Sequence, residues 1–302
     1  MRNLSFPPLL LLMLVQVCSA APRPMKTVMT SNANAMARST AIASSSSSSS
    51  SVVVSSIPRG GALLPLMSPD VAVKAFLGAL GLNAITGILT PAFHLGSYDM
   101  QVDAFSSFMA QEFCGVSLNI CILLGLQQYS GMKFEKAVGW STLPYICMTI
   151  AKLVTDKHAT VNTPRRNGYI VLIINVVVAI TSLSGHALAD PIIKYYAINS
   201  LINGIPFLFA PKTGGKVWDL IPESSQNTLL IQWMGYGLLS HFVSLLPAFG
   251  LTGDTYKIVG LVTATITTSL LGLFGIGKLN ELQLVPVLVW IALLVSITLS
   301  LL

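Results

Sequence analysis

The sequence predicts an all-α protein, a polytopic transmembrane helix bundle of about eight spans arranged as two parallel four-helix repeats. Three observations lead to this prediction. The 302-residue chain is 53% hydrophobic and only 9% charged, whereas an ordinary soluble domain is about 25% charged. The apolar residues are gathered into blocks near the roughly 20 residues that a helix needs to cross a bilayer. The blocks are continuously apolar and do not alternate, which favours helices over a β-barrel.

Eight such blocks follow one another after Asp70, separated by short polar or Gly/Pro-containing breaks. They are the segments 71–90, 105–126, 137–154, 169–188, 192–210, 229–249, 256–276 and 282–302. Pro91 closes the first block and Pro211 closes the fifth. The expected partners are therefore the lipid bilayer and either other membrane helices or further copies of this chain.

The eight blocks divide into two units, 70–190 and 191–302, whose landmarks recur in the same order. The segment 83–91 (NAITGILTP) has a counterpart 120 residues later at 203–211 (NGIPFLFAP), and at the same offset Glu112 meets Gln232. Matched Asn and Pro are less expected by chance than matched Leu, so the pattern indicates an internal repeat. Because each unit contains an even number of helices, both begin on the same side of the membrane and are parallel.

The segment that precedes the blocks has two parts. Residues 1–20 follow the pattern of a signal peptide, with Arg2, an apolar run at 9–17 and small residues before position 21. The alternative is a signal anchor that stays attached. Residues 21–69 contain no acidic residue and include eight consecutive serines, which predicts a disordered segment with the composition of a transit peptide.

A signal peptide followed by a transit-like stretch resembles the bipartite presequences of algae with secondary plastids. The segment 57–62 (IPRGGA) looks like the junction found in such proteins. The resemblance implies a plastid membrane that is reached through the secretory pathway. The alternative is an endomembrane location, with the Ser-rich segment as a disordered lumenal tail.

The net charge of +6 does not indicate nucleic-acid binding. Of the 17 basic residues, five lie before Asp70, which leaves 12 basic residues against 11 acidic ones in the membrane body. No basic stripe is present there, so we expect no nucleic-acid partner.

Polar residues inside or at the ends of the predicted spans form a candidate site, because such side chains are costly in a bilayer. They are Gln111, Glu112, Lys152, Asp156, Gln232 and His241. Lys152 and Asp156 are four residues apart and could pair on one helix face. Glu112 would accept a proton or cation at the centre of the bundle. The alternative is that Glu112 lies at headgroup depth, where a carboxylate is unremarkable.

No spacing typical of a metal site, a phosphate loop, a nucleophile elbow or a dinucleotide site occurs. We therefore predict no catalytic residue, no cofactor and no metal. Cys114, Cys121 and Cys147 are scattered and are expected to be small buried apolar side chains.

Each four-helix unit resembles the DoxX-like membrane proteins in its first two helices. The matching residues are Asn83, Pro91, Glu112 and Gly115 in the first unit and Asn203, Pro211, Gln232 and Gly235 in the second. The resemblance implies a small helical membrane protein and transfers no site residue.

Three functions follow as hypotheses. A non-enzymatic structural or accessory membrane component is favoured, because few polar residues lie in the spans. A small-solute or ion transporter with a polar site around Glu112 is the first alternative, and a lipid- or quinone-acting membrane enzyme is the second. A midplane cavity that holds Glu112 would favour transport, a solid apolar bundle would favour the accessory role, and converging histidines would favour the enzyme.

Overall fold

The computed structural model describes residues 67–277, 279, 282 and 284–302, and all regular secondary structure in these residues is helical. The predicted all-α fold is therefore confirmed for the part of the chain that is described. The predicted signal peptide, 1–20, and nearly all of the Ser-rich segment, 21–69, lie outside the described residues.

Eight long helices make up most of the described chain, and each predicted apolar block overlaps one of them. They are α1 (Pro69–Leu89), α3 (Ala104–Ser130), α4 (Phe134–Val154), α6 (Arg165–Ser184), α7 (Ala189–Phe209), α9 (Ser225–Ser244), α10 (Thr255–Gly275) and α11 (Leu284–Leu301). Six of these helices are long and apolar enough to cross a membrane, and the two that fall short in apolarity are α7 and α9.

Short helices connect some of the long ones. They are α2 (Pro91–Gly96), α5 (Lys157–Thr160), α8 (Pro211–Val217) and a 3₁₀ turn (Leu246–Phe249). Pro91 and Pro211 close blocks as predicted, and each also starts a short helix that the sequence did not predict. A proline suits the first position of a helix because its missing N–H has no helical partner to lose.

Local signals explain where the long helices begin and end. The Asp103 side chain caps α3 by accepting a hydrogen bond from the Ser106 N–H at 2.6 Å, and the Ser106 hydroxyl oxygen accepts one from the Asp103 N–H. Gly131 and Gly185, both with positive φ, follow the ends of α3 and α6. As a result α6 begins and ends about four residues before the predicted block 169–188.

The helices pack in chain order within each half of the described chain. In the first half α1 packs against α3, α3 against α4 and α4 against α6. In the second half α7 packs against α9, α9 against α10 and α10 against α11. The two halves meet where α3 packs against α9, and again where α6 contacts α7 and α11 contacts α1. At this last seam the Met67 N–H donates to the Ser300 hydroxyl oxygen at 3.2 Å.

The bundle exposes large apolar side chains in addition to burying an apolar core, which differs from a soluble bundle. Large apolar residues face outward, as Leu89 and Phe209 show with 74% and 77% of their surface exposed. Polar residues such as Lys152, Asn175 and His241 are buried inside. This arrangement suits a bundle whose surroundings are lipid, because the apolar surface then needs no further cover.

Candidate functional site

A cavity of about 130 Å³ lies among α3, α4, α6, α7 and α9. We call it the polar cavity after the polar side chains in its wall, although most of the lining surface is apolar. Its polar lining residues are Glu112, Asn119, Tyr145, Thr149, His158, Thr163, Asn167, Asn175, Tyr196, Asn199, Ser200, Asn203, Trp218 and His241.

Helical spacing brings these side chains to a common space. On α3 the lining residues Glu112, Val116 and Asn119 recur every three or four positions and therefore share one face. On α7 the same spacing aligns Asn199 and Asn203. The lining residues of α3 run from Phe108 to Asn119, 11 positions, so the cavity extends about 16 Å along α3.

A buried ion pair lies at the Glu112 end of the polar cavity. The Lys152 ammonium donates to Glu112 Oε1 at 2.8 Å, with only 4% and 15% of the Lys152 and Glu112 side chains exposed. The Tyr145 hydroxyl donates to the other carboxylate oxygen, Oε2. Lys152 also donates to the Phe108 carbonyl oxygen at 3.3 Å and lies 4.2 Å above the centre of the Phe108 ring. Both charged groups are thus held by partners from the protein itself.

His158 lies beside this ion pair on the short helix α5. Its ring packs edge-on against Phe108 with 5.2 Å between ring centres, and neither ring nitrogen has a hydrogen-bond partner among the described residues. Burial lowers the pKa of His158 below its usual value and outweighs the opposing effect of Glu112. Gly168 leaves room for the ring, because a Cβ there would lie 2.5 Å from His158 Nε2.

A chain of neutral hydrogen bonds crosses the other end of the polar cavity. The Asn119 amide donates to the Tyr196 hydroxyl at 3.3 Å, and that hydroxyl donates to Asn175 Oδ1 at 2.7 Å. His241 Nδ1 lies 2.9 Å from Ser200 Oγ, and the His241 ring meets the Tyr196 ring edge-on. Asn119 Oδ1 and His241 Nε2 are buried and have no partner among the described residues.

The contact between Ser200 and His241 does not form a nucleophilic site. Ser200 lies in the interior of α7, where backbone N–H groups are used within the helix and are not free to stabilise an oxyanion. The Ser200 hydroxyl also has a second partner, the Tyr196 carbonyl oxygen at 3.2 Å. This geometry gives no support to acyl transfer.

Trp218, which follows α8, helps to close the polar cavity. Its indole N–H donates to Asn203 Oδ1 at 2.8 Å, and its carbonyl oxygen accepts from the Asn167 amide at 2.6 Å. These two bonds link the segment after α8 to α6 and α7.

The structure brings three of the predicted site residues to the polar cavity: Glu112 and His241 line it, and Lys152 pairs with Glu112. Gln111 and Gln232 instead donate to the carbonyl oxygens of Ile88 and Leu208, at 3.0 and 3.1 Å, and thereby tie neighbouring helices together.

The predicted pair between Lys152 and Asp156 is wrong. Asp156 pairs with Arg165 at 2.7 Å and is exposed. Since α4 ends at Val154 and Asp156 has a φ of 54°, Asp156 does not continue the helix face that carries Lys152. Cys147 also differs from expectation, because it is exposed, whereas Cys114 is buried as predicted.

Sequence reasoning missed most of the neutral lining, including Tyr145, Asn119 and Tyr196. The available signal was the pair Asn199 and Asn203, two amides one helical turn apart in an otherwise apolar block. Among the described residues no group of three or more His, Cys, Asp or Glu side chains could hold a metal ion.

A second, smaller cavity of about 60 Å³ lies among α1, α3, α9, α10 and α11. Its lining is mainly apolar and aromatic, with Phe76, Tyr98, Trp233, Tyr236 and Trp290 among its members. We call it the aromatic cavity. It contains no acidic or basic side chain apart from His94.

A comparison with protein-family models, curated proteins and solved structures found no match to this chain.

Proposed function

We propose that this chain is an integral membrane protein with eight transmembrane helices that binds a small solute in the polar cavity and carries it across the membrane. The observation that carries the proposal is the polar cavity itself, with the Glu112–Lys152 ion pair in its wall. Ionisable residues buried in a membrane bundle are costly and usually mark a solute or ion pathway.

The proposal includes membrane crossing by α7 and α9. At 21 and 20 residues both have the length of a bilayer span at 1.5 Å per residue. Their polar residues lower their apolarity, yet Ser200, Gln232 and His241 are buried inside the bundle. A helix whose polar side chains face other helices does not need to be apolar on every side.

Side-specific labelling would test the crossing by α7. If α7 crosses the membrane, a cysteine in place of His186, before α7, and one in place of Glu223, after it, are labelled from opposite sides. Labelling of both from the same side would remove α7 from the count of spans.

We also propose that the two halves are an internal repeat related by an axis along the membrane normal. Helices α1 and α7 both start and end 120 residues apart. The residues after them, Thr90 and Ala210, have nearly the same backbone angles, with φ of −132° and −136° and ψ of 64° and 61°. Later in the two connections, Asp99 and Asp219 both have positive φ.

Side-chain contacts support the same pairing. Gln111 and Gln232 each donate to a carbonyl near the end of the preceding long helix, at Ile88 and Leu208. The sequence alignment paired Glu112 with Gln232, and these contacts favour Gln111 as the counterpart. At the interface of α3 and α9, Phe113 lies 6.0 Å from Trp233, the residue 120 positions later. Corresponding parts of α3 and α9 therefore meet, as is expected close to a two-fold axis.

The size of the polar cavity favours a small solute. A cavity of about 150 Å³ holds one benzene molecule, and the polar cavity measures about 130 Å³. Drug-sized ligands occupy pockets of about 300–1,000 Å³, so the volume favours a smaller solute. The cavity likewise favours transport over a purely structural role, for which a solid apolar bundle would suffice.

Solute uptake by reconstituted protein tests the proposal. Purified protein in liposomes is exposed to gradients of small polar solutes, and swelling is followed by light scattering. We expect faster swelling than in empty liposomes for at least one solute. Ser200→Leu, which fills the polar cavity, should reduce the swelling rate to that of empty liposomes. Ile202→Leu, on the exposed face of the same helix, should swell as fast as the wild type. Swelling no faster than in empty liposomes for every solute would refute transport.

We propose a plastid membrane as the site of action, with an endomembrane as the alternative. The support is the presequence pattern of residues 1–69. A C-terminal fluorescent fusion in an algal host, with and without residues 21–58, tests this location. A plastid signal that retreats to the endomembrane system on deletion supports the plastid, whereas an endomembrane signal from both fusions refutes it.

A further inference from the structure

We infer that the solute of the polar cavity is an uncharged molecule of a few heavy atoms that donates hydrogen bonds, in the class of small amides and polyols. The inference rests on the proposed solute-binding function and names its substrate class. It follows from which groups of the cavity already have partners and which do not.

The charged groups of the cavity wall are already satisfied. Glu112 accepts from Lys152 at one oxygen and from Tyr145 at the other. Lys152 directs its donors to Glu112, to the Phe108 carbonyl oxygen and toward the Phe108 ring. A solute cation would have to displace Lys152, and a solute anion would have to displace Glu112. A charged solute without such an exchange would be left without a counter-charge in a buried site.

The groups that do lack partners are neutral. Asn119 Oδ1 and His241 Nε2 have none among the described residues, although Asn119 and His241 are only 3% and 2% exposed. At the Glu112 end of the cavity, neither ring nitrogen of His158 has a partner in the described part of the chain either, and the N–H of a neutral imidazole can donate to the oxygen that amides and polyols also carry. All three residues line the polar cavity. Buried polar atoms of this kind are normally hydrogen-bonded, so a bound molecule is the natural partner.

The hydrogen-bond pattern indicates what such a molecule must offer. An amide oxygen such as Asn119 Oδ1 only accepts hydrogen bonds. The Ser200 hydroxyl has the Tyr196 carbonyl oxygen as an acceptor at 3.2 Å. When it donates there, His241 Nδ1–H donates to Ser200, and His241 Nε2 presents a lone pair. Asn119 Oδ1 requires a donor in either tautomer of His241, and His241 Nε2 requires one when Nδ1 carries the proton. Amide N–H or hydroxyl groups supply such donors.

Tyr196 contacts both residues that carry these acceptors. Its hydroxyl accepts from the Asn119 amide at 3.3 Å, and its ring lies 4.9 Å from the His241 ring. This arrangement has no parallel in the aromatic cavity, whose lining lacks a comparable amide pair.

Four probes of nearly equal size separate charge from hydrogen bonding: acetamide, acetone, acetate and acetamidinium. Acetamide is neutral and donates, acetone is neutral and does not donate, and the other two carry opposite charges. Saturation-transfer NMR on the purified full chain measures binding of each probe through its methyl protons. We expect acetamide to bind at least about tenfold more tightly than each of the other three, because one lost hydrogen bond corresponds to about a factor of ten.

Two variants assign this binding to the polar cavity. Asn119→Leu removes one acceptor with little change of volume, and His241→Phe removes the other while keeping the ring beside Tyr196. Each should weaken acetamide binding about tenfold. Ser240→Ala is the matched control, because Ser240 is equally buried but lines the aromatic cavity, and it should bind acetamide as the wild type does. If one acceptor variant does not fold, the other still provides the comparison.

The outcomes separate this inference from the proposed function. Binding of acetate or acetamidinium as tightly as acetamide would overturn the uncharged class while leaving solute binding intact. Equal binding of acetone would show that donors are not required and would also overturn the inference. If no probe binds and no solute enters the liposomes, the proposed function fails, and the substrate class fails with it.

Discussion

The ion pair between Glu112 and Lys152 should be strongly coupled, and a double-mutant cycle can measure the coupling. Lys152→Met removes the cation and leaves the Glu112 carboxylate with the Tyr145 hydroxyl as its remaining partner. Glu112→Gln keeps an acceptor for Lys152 but removes the counter-charge. The double variant carries no charge at this place, and each replacement has nearly the size of the original side chain.

The magnitude follows from how deeply the pair is buried. Removing one member of a buried ion pair destabilises a folded protein by about 3–5 kcal/mol, because the other charge is left uncompensated. Replacing both members often changes the stability very little. We therefore expect each single variant to lose about 3–5 kcal/mol and the double variant less than about 2 kcal/mol, which gives a coupling energy of about 4 kcal/mol or more.

Unfolding can be followed through cysteine exposure. Cys114 is buried, Cys121 is half-buried and Cys147 is exposed. Cys18, Cys121 and Cys147 are first replaced by serine, so that Cys114 is the remaining thiol. A thiol-reactive fluorophore then reports the unfolding of purified protein in mild detergent as the temperature or denaturant concentration is raised. The exposed pair of Asp190 and Lys194, at 2.8 Å, provides the matched control cycle, for which we expect no more than about 0.5 kcal/mol.

A coupling energy for Glu112 and Lys152 as small as that of the control pair would refute the reasoning. So would a Lys152→Met variant as stable as the wild type. Either result would mean that the carboxylate is hydrated and has little need of the ammonium, as at headgroup depth.

Three further predictions concern other parts of the bundle. Gly235→Ala should destabilise the folded protein by about 1–3 kcal/mol, because the new Cβ would lie 2.5 Å from the Leu208 backbone nitrogen. Gly272→Ala should leave the stability unchanged, because no atom lies within 4 Å of its new Cβ. Equal melting temperatures for the two variants would contradict this prediction. Burial lowers the pKa of His94 to about 4, so below pH 6.5 the unfolded chain takes up a proton that the folded chain does not. Between pH 7 and 5 the wild type should then lose about 2 kcal/mol more stability than His94→Gln, and parallel pH profiles would refute this. Asp103→Ala should lower the stability of the folded protein by about 1 kcal/mol through loss of the α3 cap. Asp103→Asn keeps a hydrogen-bond acceptor and should lower the stability much less. Similar losses of stability for the two variants would show that the cap is unimportant.

The fold was predictable because membrane helices impose their length on the sequence. Continuous apolar blocks near bilayer length predicted all eight long helices, since no polar loop interrupts them. The ends were less accurate. The short helices after Thr90 and Ala210 were missed, because a proline marks the end of one helix and the start of the next with the same residue.

The site was predictable only in part. Glu112, Lys152 and His241 could be identified because charge or imidazole is unusual in an apolar block. Their partners could not, because spacing along one helix predicts only neighbours on that helix. Lys152 was accordingly assigned to Asp156, whereas its partner lies on α3. Neutral residues such as Tyr196 gave no signal at all, since a hydroxyl on a long apolar side chain is ordinary in an apolar block.

The seam between α1 and α11 has a consequence for how the protein is made. Met67 and Ser300, which bond across this seam, are 233 residues apart in the chain. At a synthesis rate of about 5–20 residues per second, α1 is produced roughly 10–50 s before its last neighbour exists. During that interval α1 has α3 as a partner, while lipid, or an assembly factor of the host membrane, must cover the side that α11 will occupy. Biogenesis should therefore be most vulnerable at this seam, and a ribosome that stalls before α11 would release a bundle with one open side.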